Sequence, residues 1–158
     1  MYENPEFNAK GEKILCEEKG KNSHMLMDVR VQTLAAGQKV RLLEQERETA
    51  ILLLAGKVVF AFEGRRESGE RRSVFLDKPY CLHCCRRKEM IVTAEEDSRL
   101  LIQQTTNPDG FDTVFYTPEM CTLEEFGKEQ WDGTAHRQVL TVFDYETAPY
   151  SNMVMGEV

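Results

Sequence analysis

The sequence predicts an all-β domain, a closed antiparallel barrel or sandwich. About eight short apolar stretches recur between residues 25 and 105, turn residues separate them, and no long stretch carries the 3.6-residue period of a helix.

The first 22 residues are polar and are expected to form a loosely attached arm (1–22) ahead of the barrel (23–106). From Met25, MLMDVRVQTL alternates. Met25, Met27, Val29 and Val31 share one face and Asp28, Arg30 and Gln32 the other, as in a half-buried strand. A turn at AAG leads into the polar strand QKVRLLEQ. TAILLLA is short and continuously apolar, which suits a strand covered on both faces. Gly56 is expected to turn the chain into KVVFAFE, and GRRESGERR reads as a charged, solvated hairpin loop. SVFLD, PYCLHCC, KEMIVTAE and SRLLIQQT supply four more strands. After NPDG, FDTVFYTPEM is a short extended piece. TLEE matches a capping box and predicts a short helical turn near residues 122–127. WDGTA is a turn and HRQVLTVFD a strand. NMVMGEV alternates like the opening strand of something further, with nothing after it to pair. Residues 107–158 are therefore expected to connect to a missing second barrel, leaving Met153, Val154 and Met155 on an exposed apolar edge.

A length of 158 residues suits one domain with a real core, and 41% hydrophobic with 30% charged residues is an ordinary globular composition. A formal net charge of -7 argues against nucleic acid or an anionic membrane as the main partner, while leaving room for a local basic pocket. No apolar run approaches the roughly 18 residues of a membrane span, and MYENPEFNAKGEK has no hydrophobic signal core, so a cytoplasmic protein is expected. In that compartment Cys16, Cys81, Cys84, Cys85 and Cys121 are expected to be reduced. CLHCC gathers Cys81, His83, Cys84 and Cys85. Structural zinc takes ligands from two separated knuckles, and there is no second one. Small side chains alternating on a strand is the preferred reading, with zinc or a reactive thiol as the alternative.

The run GQKVRLLEQERETAILLLAG places Gly37, then positions 43, 45 and 49, then Gly56. This spacing is similar to that at which cupin β-barrels put two histidines and a glutamate on a metal ion. Here the positions hold Leu43, Gln45 and Thr49, and the fourth ligand position falls on Met90. Only the weak amide oxygen of Gln45 is a donor, so no metal is expected in this chain. Leu43 and Met90 are expected to fill the barrel interior instead.

MLMDVRVQTLAAGQ, ETAILLLAGKVVF, SVFLD, EMIVTAEEDSRLLI and GTAHRQVLTVFDYETAPYSNMVMGEV resemble the 5-deoxy-glucuronate isomerase family, itself related to the 4-deoxy-5-dehydro-uronate isomerases. The resemblance covers nearly all of this chain but only the amino-terminal half of a family member. It implies a bicupin acting in inositol catabolism that converts 5-deoxy-D-glucuronate to 2-deoxy-5-keto-D-gluconate. It further implies a divalent, zinc-like metal in the missing second barrel, and an inactive amino-terminal half when alone. Implied partners are a small uronate or sugar acid and a second cupin barrel, either of the same chain or in a homo-oligomer. His136 or Arg137 could reach an inter-barrel cleft and Glu157 could line the mouth of the second barrel; exposed surface positions are the plainer reading, and no residue is assigned a catalytic role. Two alternatives stand beside this one. One is a free-standing, metal-less cupin that binds a sugar or acts as a sensor module. The other is a metalloenzyme in its own right, which the ligand positions oppose.

Overall fold

The structure, a computed structural model, describes residues 4–158. The strands are β1 (Glu12–Cys16), β2 (Asp28–Leu34), β3 (Lys39–Leu43), β4 (Arg47–Phe62), β5 (Arg65–Arg71), β6 (Cys81–Cys84), β7 (Glu89–Ala94), β8 (Ser98–Thr106), β9 (Val114–Tyr116), β10 (Thr122–Phe126), β11 (Arg137–Phe143) and β12 (Met155–Glu157). Strand pairing is antiparallel throughout. One half of the barrel runs β1-β2-β8-β4-β6-β9; the other is built from β3, β7, β5 and the second half of β4. β4 is thus shared by both halves. The bend lies at Gly56, with φ +101°, where a Cβ would collide with Ser98 Oγ and stand 2.6 Å from the Asp97 carbonyl oxygen. The residue expected to be a turn is instead the corner of one long strand, with a register shift between Leu53 and Ala55.

TAILLLA is covered on both faces, as its composition requires. Ile51 and Leu53 point into the barrel with Phe60, Leu82, Met90, Val92, Leu100 and Ile102. Ala50 and Leu52 point outward, beneath a second layer. That layer is the sheet β10-β11-β12, whose Leu140, Val142, Phe143 and Met155 close over Cys81 and Tyr116 together with Met153, just ahead of β12. Each large apolar side chain buried this way contributes about 1.5–3 kcal/mol.

Beyond Gly56, six expectations about the elements differ from the structure. Of the loosely attached arm, residues 1–3 lie outside the described residues, and Glu12–Cys16 is a strand of the barrel paired with β2. β2 turns Arg30, Gln32 and Leu34 toward the barrel and Val29 and Val31 away, opposite to the phase that hydropathy suggests. The charged run GRRESGERR is strand β5, reached through a tight turn in which Glu63 (φ 45°) and Gly64 (φ 77°) are both left-handed. SVFLD is an exposed turn rather than a strand. The helical turn near 122–127 is strand β10, because register pairing with β11 from Thr122↔Thr141 to Phe126↔Arg137 outweighs the capping-box signal. NMVMGEV does have a partner: β12 pairs with β11, burying Met153 and Met155 and leaving only Val154 of that trio exposed.

Candidate functional site

The open end of the barrel carries its polar interior. Inward positions of β2, β8 and β4 bring Arg30, Gln104 and Thr49 into one relay. Arg30 Nη1 donates to Gln104 Oε1 at 3.0 Å, and Gln104 Nε2 donates to Thr49 Oγ1 at 3.1 Å. Arg30 Nε is buried without a hydrogen-bond acceptor, with Glu12 Oε1 3.6 Å away. Burial pulls the Arg30 guanidinium below its ordinary pKa, against the pull of Glu12 and Glu44. Above the relay, Arg47 bridges Asp28 and Glu44. Burial lowers the Arg47 pKa too, but the two carboxylates outweigh it and hold the group above its usual value. A cleft of about 460 Å³ over this mouth is lined by Glu17, Glu18, Asp28, Glu44 and Glu46 against Lys19 and Arg47. Its surplus of carboxylates disfavours anions.

Of the frame positions, Leu43 and Gln45 border this cleft, and Thr49 and Met90 are not part of its lining. Leu43 is 48% exposed and does not fill the interior as expected, and Gln45 lies on the surface beside it. Thr49 and Met90 are buried. The cause is a slip of one residue in β3: Leu42, not Leu43, faces inward and pairs with Met90. One residue of slip reverses every side chain on a strand.

Two polar pairs escaped sequence reasoning, and both fix the outer layer to the barrel. Glu48 and His83 are fully buried, with His83 Nε2 2.9 Å from Glu48 Oε2. The same carboxylate accepts from Ser151 Oγ at 3.0 Å and from the Asn152 backbone N–H at 2.6 Å. The imidazole stacks on Phe143 at 4.3 Å, leaving Nδ1 buried without a partner. The second pair is Arg71, fully buried, and Glu157. Arg71 Nη1 and Nη2 donate to the Glu157 carboxylate at 2.8 and 2.6 Å, and Nη1 and Nε donate to the carbonyls of Leu53 and Asp77. Reading GRRESGERR as a solvated loop hid this arginine. Glu157 is its partner rather than a free cleft residue.

The five cysteines are buried, free thiols. Within CLHCC they divide between faces: Cys84 lies in the barrel core, and Cys81 and the His83 ring lie under the outer layer. Burial pushes the Cys84 thiol up to about 12 and raises Cys81 as well, the reverse of a reactive thiolate. His136 and Arg137 are exposed, the first 3.6 Å from Glu125 and the second over the Phe126 ring.

The model of the KduI/IolB family matches residues 1–158. The chain belongs to the KduI/IolB family. Among solved structures, this KduI/IolB member is similar to an IolB-like protein from Salmonella typhimurium LT2, with a TM-score of 0.71 and 24% identity over 77% of this chain and 46% of that one. It is also similar to protein Ylba from E. coli, with a TM-score of 0.58 and 15% identity over 84% of this chain and 49% of that one. At these identities the likeness shows the fold, a cupin β-sandwich. The chain spans about half the length of both structures. No curated protein sequence matches it.

The mouth of this KduI/IolB barrel does not fit the divalent ion that cupin spacing implies. Its inward groups are a hydroxyl already accepting from Gln104, a thioether, a leucine and a guanidinium, and of the cleft's carboxylates Asp28 and Glu44 are already held by Arg47. Among the described residues, no three or more of His, Cys, Asp and Glu are placed to hold an ion.

Proposed function

We propose that this chain is the amino-terminal, metal-free barrel of an aldose–ketose isomerase that converts 5-deoxy-D-glucuronate to 2-deoxy-5-keto-D-gluconate in inositol catabolism. The observation that carries this reading is the family match across residues 1–158. Moving a proton between C1 and C2 needs a base and an electrophile on the substrate oxygens. Among the described residues no group of side chains is placed to hold the metal electrophile, and the acidic cleft at the mouth disfavours a uronate. The chemistry therefore belongs to a second cupin barrel with a divalent, zinc-like ion, supplied by the same polypeptide or by a homo-oligomer, in the cytoplasm. This barrel supports that site; it does not perform the reaction.

The test is a chimera in which this chain replaces the matching half of the Salmonella IolB-like protein, assayed with 5-deoxy-D-glucuronate. We expect turnover and full metal content from the chimera and neither from the 158-residue chain alone. Turnover at enzyme rates by the chain alone overturns the division of labour, and a folded, metal-loaded chimera without turnover overturns the isomerase reading.

One observation favours a second reading, a free-standing metal-less cupin that binds a sugar or acts as a sensor. The outer layer closes back on the barrel, with Met153 and Met155 buried and Glu157 held by Arg71. That reading predicts saturable binding of a sugar or uronate to the chain alone in calorimetry; a flat titration removes it.

A further inference from the structure

The barrel has two outer faces. The β10-β11-β12 layer covers the one behind Ala50 and Leu52; among the described residues no second layer covers the other, formed by β5, β4, β7 and β3 in that order. Register sets its outward rows. Arg66, Ala61, Ile91 and Arg41 stand side by side across the four strands, and Ser68, Val59, Thr93 and Lys39 form the next row. The central strands thus present short, half-buried side chains, and the edge strands present the exposed Arg66, Arg41 and Lys39. The result is a trough, and its deeper end is a groove of about 520 Å³ lined by Ala61 and Ile91 with Arg66, Arg87 and Lys88. Three strand spacings of about 4.8 Å put the rims about 14 Å apart.

We propose that this trough docks an amphipathic α-helix of another protein, its apolar stripe laid on Val59, Ala61 and Ile91 and its flanks acidic. A helix with its side chains is about 10–12 Å across, so it fits between the rims with a charge pair on either side. The rims call for acid. Among the described residues Lys39, Arg66 and Arg87 have no carboxylate partner, while Arg41 pairs with Glu89 and Lys88 with Glu63. Glu70 and Glu95 flank Lys57 and close the floor at the opposite end. In a chain of net charge -7, a surplus of cations gathered on one open face selects an acidic partner. A second copy does not supply the helix, since the described residues form only strands and short 3₁₀ turns. This inference does not rest on the isomerase reading.

Fluorescence anisotropy tests it with a labelled, helix-stapled peptide of about 18 residues, carrying leucine at heptad positions a and d and glutamate at e and g. Wild type is compared with Arg66→Glu and Arg41→Glu, and with Lys19→Glu at the barrel mouth as the control for net charge. We expect a wild-type Kd below about 100 μM, unchanged in the control and raised about 10-fold or more by each rim variant. Raising salt from about 20 to 300 mM weakens the wild-type complex. All three side chains are exposed, so circular dichroism and the melt stay at wild type. Arg41 also pairs with Glu89, which makes Arg66→Glu the cleaner variant. No saturation by about 500 μM chain overturns the proposal. So does equal binding of a peptide with glutamine for glutamate, or of a single-stranded oligonucleotide. Self-association of the chain that Arg66→Glu abolishes overturns it too, giving the face to a second copy.

Discussion

Truncating Glu157 to alanine tests whether the buried arginine joins the two layers. Arg71 has no exposed side-chain surface and Glu157 has 22%. Removing the carboxylate leaves Arg71 Nη2 without its acceptor at 2.6 Å and an uncompensated charge in the core; only the Leu53 and Asp77 carbonyls remain. Breaking a buried pair from one side costs about 3–5 kcal/mol. Because Glu157 borders solvent, water can reach the vacated position, so the lower end applies: about 3 kcal/mol, or about 6–12 °C in Tm for a domain of this size. Urea unfolding followed by far-ultraviolet circular dichroism measures the loss, at low protein concentration so that association contributes nothing. The double variant Arg71→Met, Glu157→Leu is expected within about 1 kcal/mol of wild type, since apolar replacement of both partners leaves no bare charge. If Glu157→Ala unfolds within about 0.5 kcal/mol of wild type with an unchanged m-value, Arg71 is not paired as described. If the double variant falls as far as the single one, the loss belongs to the packing of β12 rather than to charge.

Three further outcomes follow from the same geometry. Glu48→Ala strips the acceptor from Ser151 Oγ, the Asn152 N–H and His83 Nε2. It is expected to cost about 3 kcal/mol, with amide exchange quickening first over residues 150–153 in mass-spectrometric exchange. Met90→Ala opens a cavity opposite Leu42 and should cost about 2–5 kcal/mol in urea unfolding, whereas Leu43→Ser and Gln45→Ser should each stay within about 0.5 kcal/mol; equal losses at all three would restore the frame read from spacing. The Asp77 carboxyl, hydrogen-bonded by Arg72, is held at about 2, below its ordinary 3.8. Its folded value is depressed, so its contribution is complete above about pH 4 and disappears as pH falls toward 2. A carbon-13 carboxyl titration showing Asp77 near its ordinary value would refute its pairing with Arg72.

Fold class was legible because apolar rhythm reports burial directly, and TAILLLA announced its two covered faces. Strand phase was less so. In β2 the inward set is Arg30, Gln32 and Leu34, since the mouth of the barrel is polar and hydropathy there points the wrong way. In β3 the glycine-to-ligand spacing was read one residue out of register. Glu48 and His83 give no signal of their own: one lies in a charged run, the other in a cysteine cluster that drew attention to metal. Their meeting is made by the Thr49↔Cys84 and Ala50↔His83 register of β4 with β6. Arg71 is one of four arginines in GRRESGERR, and only strand alternation separates it from its neighbours. For TLEE the local signal was sound but lost to five ladder pairs with β11.

A cupin metal ties inward side chains of several strands to one point at the mouth. Here the relay Arg30–Gln104–Thr49 ties β2, β8 and β4, and Asp28–Arg47–Glu44 ties the start of β2 to the turn before β4. Apart from Arg30 Nε, these groups satisfy one another: the Thr49 hydroxyl and the Gln104 amide already face their partners. A donor set cannot be added by changing the frame positions alone, because Leu43 and Gln45 point to solvent and Thr49 is engaged. The side-chain bridges take over the strand-tying role, and the spacing between Gly37 and Gly56 is retained by the corner in β4, where Ser98 and Asp97 crowd Gly56. The two glycines of that frame are thus accounted for by backbone geometry, Gly37 by its left-handed φ of +82° and Gly56 by its crowded corner, independently of any ion.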